Sequence, residues 1–162
     1  MSDLIRVRRW ADSLIALHLD ASWSFGFDNA KRRAGQCDYT RKRITVSRYL
    51  AARFDDDDVH QILLHEVAHA LAGSKAGHGA RWLSTARELG YVGGRTHAGE
   101  TAVELAPWVG TCPAGHIAYR HRRPTRAASC VNCAPRYDAR YLFEWQRRDI
   151  TAADRLAALA PR

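Results

Sequence analysis

The segment HEVAH, which begins at His65, restricts the possible folds of this chain more than any other stretch. The apolar residues around it predict a single helix over residues 56–71. Positions four apart lie on one helix face, with Cβ atoms about 5–6 Å apart, so His65 and His69 can bind one metal ion together. Glu66 lies on an adjacent part of the helix, where it can reach a water on that metal. Two histidine ligands and a general base at this spacing are typical of a zinc hydrolase.

A third ligand is expected, because a catalytic zinc commonly has three protein ligands and one water. His78 is the candidate, since the chain can turn back after the helix at Gly73, Gly77 and Gly79. The alternative is a pair of ordinary hydrogen-bonded histidines. The apolar surroundings of the helix favour a metal, because buried histidine and glutamate are costly without partners.

The bulk composition indicates an intracellular protein with a basic surface. The net charge is +8 and the sequence pI is about 9.8. The basic residues, mostly arginine, are concentrated in the two ends of the chain, whereas the middle is acidic. This distribution fits a polyanionic partner beside a metal site, although a solvated arginine-rich surface explains it equally well. Arg6, Arg8 and Arg9 interrupt any signal peptide, and no stretch is long enough to span a membrane, so we expect a cytoplasmic location.

The other elements are predicted from apolar periodicity and turn residues. Helices are expected at residues 3–19, 80–89 and 151–160, and strands at residues 23–27, 34–39, 43–47 and 141–145. Ser47 is expected to cap a short helix, and the four aspartates at 55–58 to cap the motif helix. Cys37 has no partner at metal-ligand spacing and is interpreted as a packed thiol. Glu100 and Glu104 remain open as partners of a zinc-bound histidine.

A second metal site is predicted near the C-terminus. Four cysteines in an apparently intracellular chain favour metal binding over disulfides. Cys130 and Cys133 form one half-site, and Cys112 with His116 forms the other. Two such half-sites separated by the length of a hairpin are typical of a zinc ribbon. The histidine half is the weaker signal, and His121 is an alternative ligand.

The segment between the two half-sites is rich in arginine and includes an aromatic residue. Arginine makes phosphate contacts and aromatic rings stack on bases, so this segment is a candidate nucleic-acid surface. The candidate contacts are Arg120, Arg122, Arg123 and Arg126, next to Tyr119.

Several segments together resemble the SprT-like metalloprotease family. They are AGQCDY from Ala34, RITVS from Arg43, LHEVAHA from Leu64 and GHG from Gly77, followed by Trp82. The candidate ribbon follows in the expected order. The spacing between the second and third histidines is longer than in the H-E-x-x-H-x-x-G-x-x-H metzincins, which makes the resemblance specific.

The resemblance implies an α+β fold with a compact zincin-like core (a helix, a small sheet and the HExxH helix) and an appended zinc ribbon. We therefore expect a catalytic core over residues 1–106, a ribbon with a returning strand over 107–150 and a terminal helix over 151–162. The family's ribbon is usually all-cysteine, so His116 departs from its pattern. Eukaryotic members of the family degrade proteins crosslinked to DNA.

The function expected from these observations is zinc-dependent endopeptidase activity on a protein or peptide substrate, with DNA as a further partner and no membrane. Two zinc ions are expected, one catalytic and one structural. Glu66 would take a proton from water and deliver it to the leaving amine. Two alternatives remain: a nucleic-acid-binding module with an inactive core, and a non-peptidase zinc hydrolase. An intact Glu66 favours an enzyme. No residue is identified as the oxyanion stabiliser.

Overall fold

The computed structural model describes residues 2–94 and 101–159. Their contacts divide at Thr101 into two compact units, and Ala102–Ala158 forms the second. We call these the N-terminal unit and the C-terminal unit. Within the described residues there are five α-helices and two three-stranded sheets, which confirms the predicted α+β class. Glu100 lies outside the described residues.

The sheet of the N-terminal unit has three strands, and the third along the chain lies in the centre. Its strands are β1 (Ser24–Asp28), β2 (Gly35–Asp38) and β3 (Arg43–Ser47), in the order β1-β3-β2. β1 pairs with β3 in parallel, and β2 pairs with β3 antiparallel. β2 is therefore an edge strand, and alternate backbone groups along it point away from β3.

Four helices accompany this sheet, and side chains cap two of them as predicted. They are α1 (Leu4–His18), α2 (Arg48–Ala51), α3 (Asp56–Ala72) and α4 (Ala80–Glu88). The Ser47 hydroxyl accepts a hydrogen bond from the Leu50 amide at 3.3 Å, at the start of α2. The Asp55 carboxylate accepts one from the Asp58 amide at 2.8 Å, at the start of α3. Both side chains satisfy amides that have no partner within the helix.

Helix α3 lies between two apolar clusters, so most of its surface is buried. One cluster joins α3 to α1 and the sheet and includes Val7, Ile44 and Leu63. The other joins α3 to α4 and includes Leu64 and Trp82. This double packing places the two motif histidines and Glu66 in a largely apolar environment.

The C-terminal unit is built on a second sheet. Its strands are β4 (Trp108–Thr111), β5 (Ile117–Arg120) and β6 (Glu144–Arg147), with β4 in the centre and antiparallel to both neighbours. A 3-10 turn at Val103–Leu105 precedes β4, another at Ala139–Tyr141 precedes β6, and α5 (Ala152–Ala157) follows it.

The predicted strand at residues 141–145 begins later than expected. The carbonyl of Tyr141 accepts the Cys130 amide at 2.9 Å, and the Phe143 amide donates to the Ala128 carbonyl at 3.0 Å. The first residues of this aromatic run therefore pair with the segment around Cys130, and only Glu144–Arg147 pairs with β4.

No helix among residues 2–94 and 101–159 is long and apolar enough to cross a membrane.

Candidate metal centre and groove

Three histidine side chains converge on one point in the N-terminal unit. The Nε2 atom of His69 lies 3.2 Å from that of His65 and 3.0 Å from that of His78, and the remaining pair is 3.1 Å apart. Three ring nitrogens this close cannot all act as hydrogen-bond donors to one another. An arrangement that suits all three is coordination of one cation through their lone pairs.

The distances also fit the size of the ion. Nitrogens bound tetrahedrally at about 2.0–2.1 Å from a zinc ion lie about 3.3 Å apart, close to the separations found here. Burial lowers the pKa of His69 to about 4, and nearby His78 acts in the same direction. The ring is therefore neutral near pH 7, which is the form that binds a metal.

Two glycines allow the chain to bring His78 back to the helix. Gly73 ends α3 with a φ of 85°, and its amide donates to the His69 carbonyl at 3.0 Å. Gly77 has a φ of 51°. Such positive φ angles are strained for residues with a side chain. Gly79 has an ordinary φ of −75° and is the N-cap of α4, so it does not need the freedom of a positive φ; its amide closes the turn by donating to the Ala76 carbonyl at 2.9 Å.

Trp82 packs against all three histidines. Its ring centroid lies 4.7 Å from His65, 5.3 Å from His69 and 4.7 Å from His78, and its side chain is fully buried. Its indole N–H donates to the His65 carbonyl at 3.4 Å. Because α4 contributes this one ring to all three histidines, it supports ligands that come from α3 and from the following loop.

Glu66 lies at the free edge of β2 and is buried. The Cys37 amide donates a hydrogen bond to its carboxylate. A Cβ on Gly35 would lie only 2.7 Å from Oε1 of Glu66, so the strand passes directly against this side chain. Burial raises the pKa of Glu66 to about 7, although the positive charge of Arg33 and the Cys37 amide act in the opposite direction.

The three histidines and Glu66 line one open cavity of about 530 Å³. Its other walls come from the β1–β2 connection, from β2 and from the loop after α3. Tyr39, just after β2, donates its hydroxyl to the His69 carbonyl at 3.2 Å. Burial and the charge of Glu66 raise the pKa of Cys37 to about 12, so this residue remains a thiol. We call the cavity the groove.

A second cluster of metal-ligand atoms lies in the C-terminal unit. The Nδ1 atom of His116 lies 3.5 Å from Sγ of Cys112 and 3.3 Å from Sγ of Cys133, and these two sulfurs are 3.8 Å apart. Cys130 completes the group, in which all ligand atoms lie within 4.8 Å of one another. Tetrahedral zinc at about 2.3 Å from sulfur and about 2.0–2.1 Å from nitrogen predicts separations of about 3.8 and about 3.6 Å.

Two residues that the sequence left open as partners at a metal site, His121 and Glu104, lie in the C-terminal unit. His121 does not belong to the four-residue cluster among the described residues. Glu104 lies in the C-terminal unit, in the 3-10 turn before β4. The four candidate nucleic-acid contacts lie on and after β5, and Arg120, Arg122, Arg123 and Arg126 are all exposed.

Sequence reasoning missed three contributions to the site. Gly35 leaves space for Glu66, the amide of Cys37 binds its carboxylate, and Trp82 packs on the histidines. The sequence predicted a packed thiol at Cys37, and the structure adds the contact of its backbone amide with Glu66. Periodicity predicted the strand and the helix that contain these residues, but neither periodicity nor ligand spacing assigned them to the site.

The sequence model of the SprT-like family matches residues 7–103, which is more than half of the chain. The chain therefore belongs to the SprT-like family. The match includes the three histidines and Glu66 and ends before the cysteine cluster. No curated protein and no solved structure matches the chain.

Proposed function

We propose that this protein is a zinc-dependent endopeptidase with a zincin-like N-terminal unit. The observation that carries the proposal is the convergence of three histidine Nε2 atoms within 3.2 Å, beside the Glu66 carboxylate and in an open groove. Family membership supports the same class of activity. The groove distinguishes this arrangement from a structural zinc site, which is normally closed by a fourth protein ligand.

His65, His69 and His78 would hold the zinc ion. When bound, zinc supplies a Lewis acid for the scissile carbonyl and lowers the pKa of a coordinated water to about 7. Glu66 accepts a proton from the attacking water and delivers it to the leaving amine, so one C–N bond is broken and one water is consumed. The Cys37 amide holds the carboxylate in position for both transfers.

The free edge of β2 provides the path for the substrate. An extended peptide can pair with an exposed strand edge through main-chain hydrogen bonds. The backbone groups of Gly35 and the carbonyl of Cys37 point outward on this edge beside Glu66, whereas the Cys37 amide is engaged with the carboxylate. A peptide paired here would pass its backbone across the carboxylate and the histidine cluster.

The experiment is a cleavage assay on an unfolded protein such as casein, with zinc content measured on the same samples. Glu66→Gln should retain zinc and fold but lose about 10²–10⁴-fold in rate, because only the general base is removed. Glu88→Gln is the matched control, since Glu88 is an exposed glutamate on α4. Wild-type rates in Glu66→Gln would reject the enzymatic proposal.

A second function is proposed for the C-terminal unit: binding of nucleic acid through a zinc ribbon. The four-ligand cluster leaves no open coordination position, which suits a structural zinc. The exposed arginines on and after β5 supply phosphate contacts, and Arg120 also lies over the ring of Trp145 at 5.6 Å. Such binding would bring the endopeptidase to DNA-associated or DNA-crosslinked proteins. A nucleic-acid-binding protein with an inactive core is the competing proposal, and the Glu66→Gln assay distinguishes the two.

Salt dependence tests the nucleic-acid surface. A plot of log affinity against log salt has a negative slope. For each phosphate that the Arg120/Arg122/Arg123→Ala variant no longer binds, this slope should become shallower by about 0.7–0.9. Arg140→Ala is the control, because its guanidinium is paired with Asp138 at 2.7 Å. An unchanged affinity and slope in the triple variant would remove this surface from the proposal.

A further inference from the structure

Two arginines line the groove at the end of the β1–β2 connection. Arg32 and Arg33 belong to its walls, and Glu66 is the one carboxylate among the described residues that line it. Because Glu66 is assigned to proton transfer, the charged side chains that remain to contact a substrate at this end are basic.

Arg33 is held in a fixed orientation by its neighbours. One of its terminal nitrogens lies 2.7 Å from Oδ2 of Asp28, and the other donates to the side-chain oxygen of Gln36. The hydroxyl of Thr45 donates to the same Asp28 oxygen at 2.7 Å, and the Ala30 amide donates to its other oxygen at 2.8 Å. A guanidinium has five N–H donors, so Arg33 retains donors for a ligand while its position is fixed.

Arg32 contributes a second and uncompensated charge. Its side chain is exposed and forms no ion pair or hydrogen bond with the part of the chain that the structure describes. Asp28 compensates Arg33, so the two arginines and this aspartate together carry one net positive charge. An anionic group that enters the groove here meets one positioned guanidinium and one available guanidinium.

The position of the pair relative to Glu66 is limited by the length of the chain between them. Gly35, the first residue of β2, lies directly against Glu66, and Arg33 precedes it by two positions in the β1–β2 connection. Two residues of chain span at most about 7 Å, so the Arg33 backbone lies within about that distance of Gly35. In a peptide paired with β2, this distance corresponds to a side chain within about two residues of the cleaved bond.

We propose that Arg32 and Arg33 form a specificity subsite for a carboxylate side chain of the substrate, within about two residues of the scissile bond. This inference rests on the proposed endopeptidase function and names its substrate class: protein segments with an aspartate or glutamate near the cut. Cleavage of DNA-associated proteins would then fall in their acidic segments rather than in the basic segments that contact phosphate.

The test is a set of fluorogenic peptides that differ only in Asp, Ala or Lys at one position, placed in turn at each of the three residues on either side of the bond. Charge-assisted hydrogen bonds to arginine predict that the wild type cleaves one Asp peptide with a kcat/KM about tenfold above its Ala counterpart. The preference should decrease with added salt. Arg32→Ala/Arg33→Ala should abolish it.

Two further variants separate this effect from a loss of folding. Arg41→Ala is the matched control. Like Arg33, Arg41 pairs with an aspartate, in this case Asp38 at 3.1 Å, but it does not line the groove. The Arg41→Ala variant should therefore retain the preference for the Asp peptide. Arg32→Glu, at an exposed position with no hydrogen bond or ion pair to the described residues, should shift the preference towards Lys.

Three results would overturn the inference. Equal kcat/KM values for the Asp and Ala peptides at every position would show that the wild type makes no such selection. An Asp preference that persists in the double variant would show that other residues make it. If the zinc-loaded wild type cleaved none of the peptides and no casein, both the inference and the proposed function would fail.

Discussion

Replacement of Gly35 with alanine tests whether β2 positions the general base. The added Cβ would lie 2.7 Å from Oε1 of Glu66, 2.8 Å from its Cγ and 2.9 Å from Cγ2 of Ile62. Carbon atoms prefer separations of about 3.5–4.0 Å, so the strand or the carboxylate must move by about 0.7–1 Å. Either movement disturbs the hydrogen bond from the Cys37 amide to Glu66.

We expect kcat to fall about 100-fold, because a displacement near 1 Å can cost a factor of that size in a positioned reaction. The overpacking should cost about 1–3 kcal/mol of the free energy of unfolding. A domain with about 5–15 kcal/mol of stability tolerates that loss. The three atoms nearest to the new methyl group belong to Glu66 and Ile62 and not to a histidine, so zinc content should remain at the wild-type level.

The assay measures kcat on one peptide, zinc by metal analysis and unfolding by circular dichroism. Gly94→Ala is the control, since a Cβ there meets no described atom within 4 Å. A folded, zinc-loaded Gly35→Ala protein with the kcat of the wild type would refute the role assigned to the strand. Loss of zinc in the same variant would contradict the reasoning in a different way, because the perturbation would then have reached the histidines.

Three other changes have separate expected results. His78→Ala should lose the zinc of the N-terminal unit and retain that of the C-terminal unit, which metal analysis checks; an unchanged zinc content and normal activity would exclude His78 as a ligand. Trp82→Leu should weaken zinc binding about 10–100-fold in a chelator competition, because the ring that supports all three ligands is removed. Trp82→Phe should retain most of the affinity, and equal affinities for the two variants would leave Trp82 as a core residue only. Cys130→Ser/Cys133→Ser should release one zinc and unfold the C-terminal unit locally, since structural zinc sites supply folding energy; hydrogen exchange that stays slow across β4 and β5 would contradict this.

The elements around the motif were predictable because their signals are local. The spacing of His65 and His69, the apolar run of α3 and the caps at Ser47 and Asp55 each depend on residues within a few positions of one another. The helical repeat converts such spacing directly into a shared face. The turn after α3 requires positive φ angles at positions 73 and 77, and the glycines in the sequence indicated these positions.

The start of β6 was not predictable to the residue. The aromatic run from Tyr141 has strand propensity throughout, but its first residues pair with the segment around Cys130 and its last residues with β4. Which partner a strand residue takes depends on where the tertiary structure places the segment around Cys130. Periodicity along one strand contains no information about it.

The sequence by itself determined the chemistry of this protein: three histidines, a glutamate between two of them, and a second set of cysteine and histidine ligands. Only the tertiary structure decided how the glutamate is held and what surrounds the groove. The Cys37 amide, the space left at Gly35 and the ring of Trp82 come from elements separated from Glu66 along the chain. The spacing of His65 and His69 is fixed by the geometry of one helix, whereas the contacts that orient the base and support the ligands form only when a strand and a second helix pack against that helix.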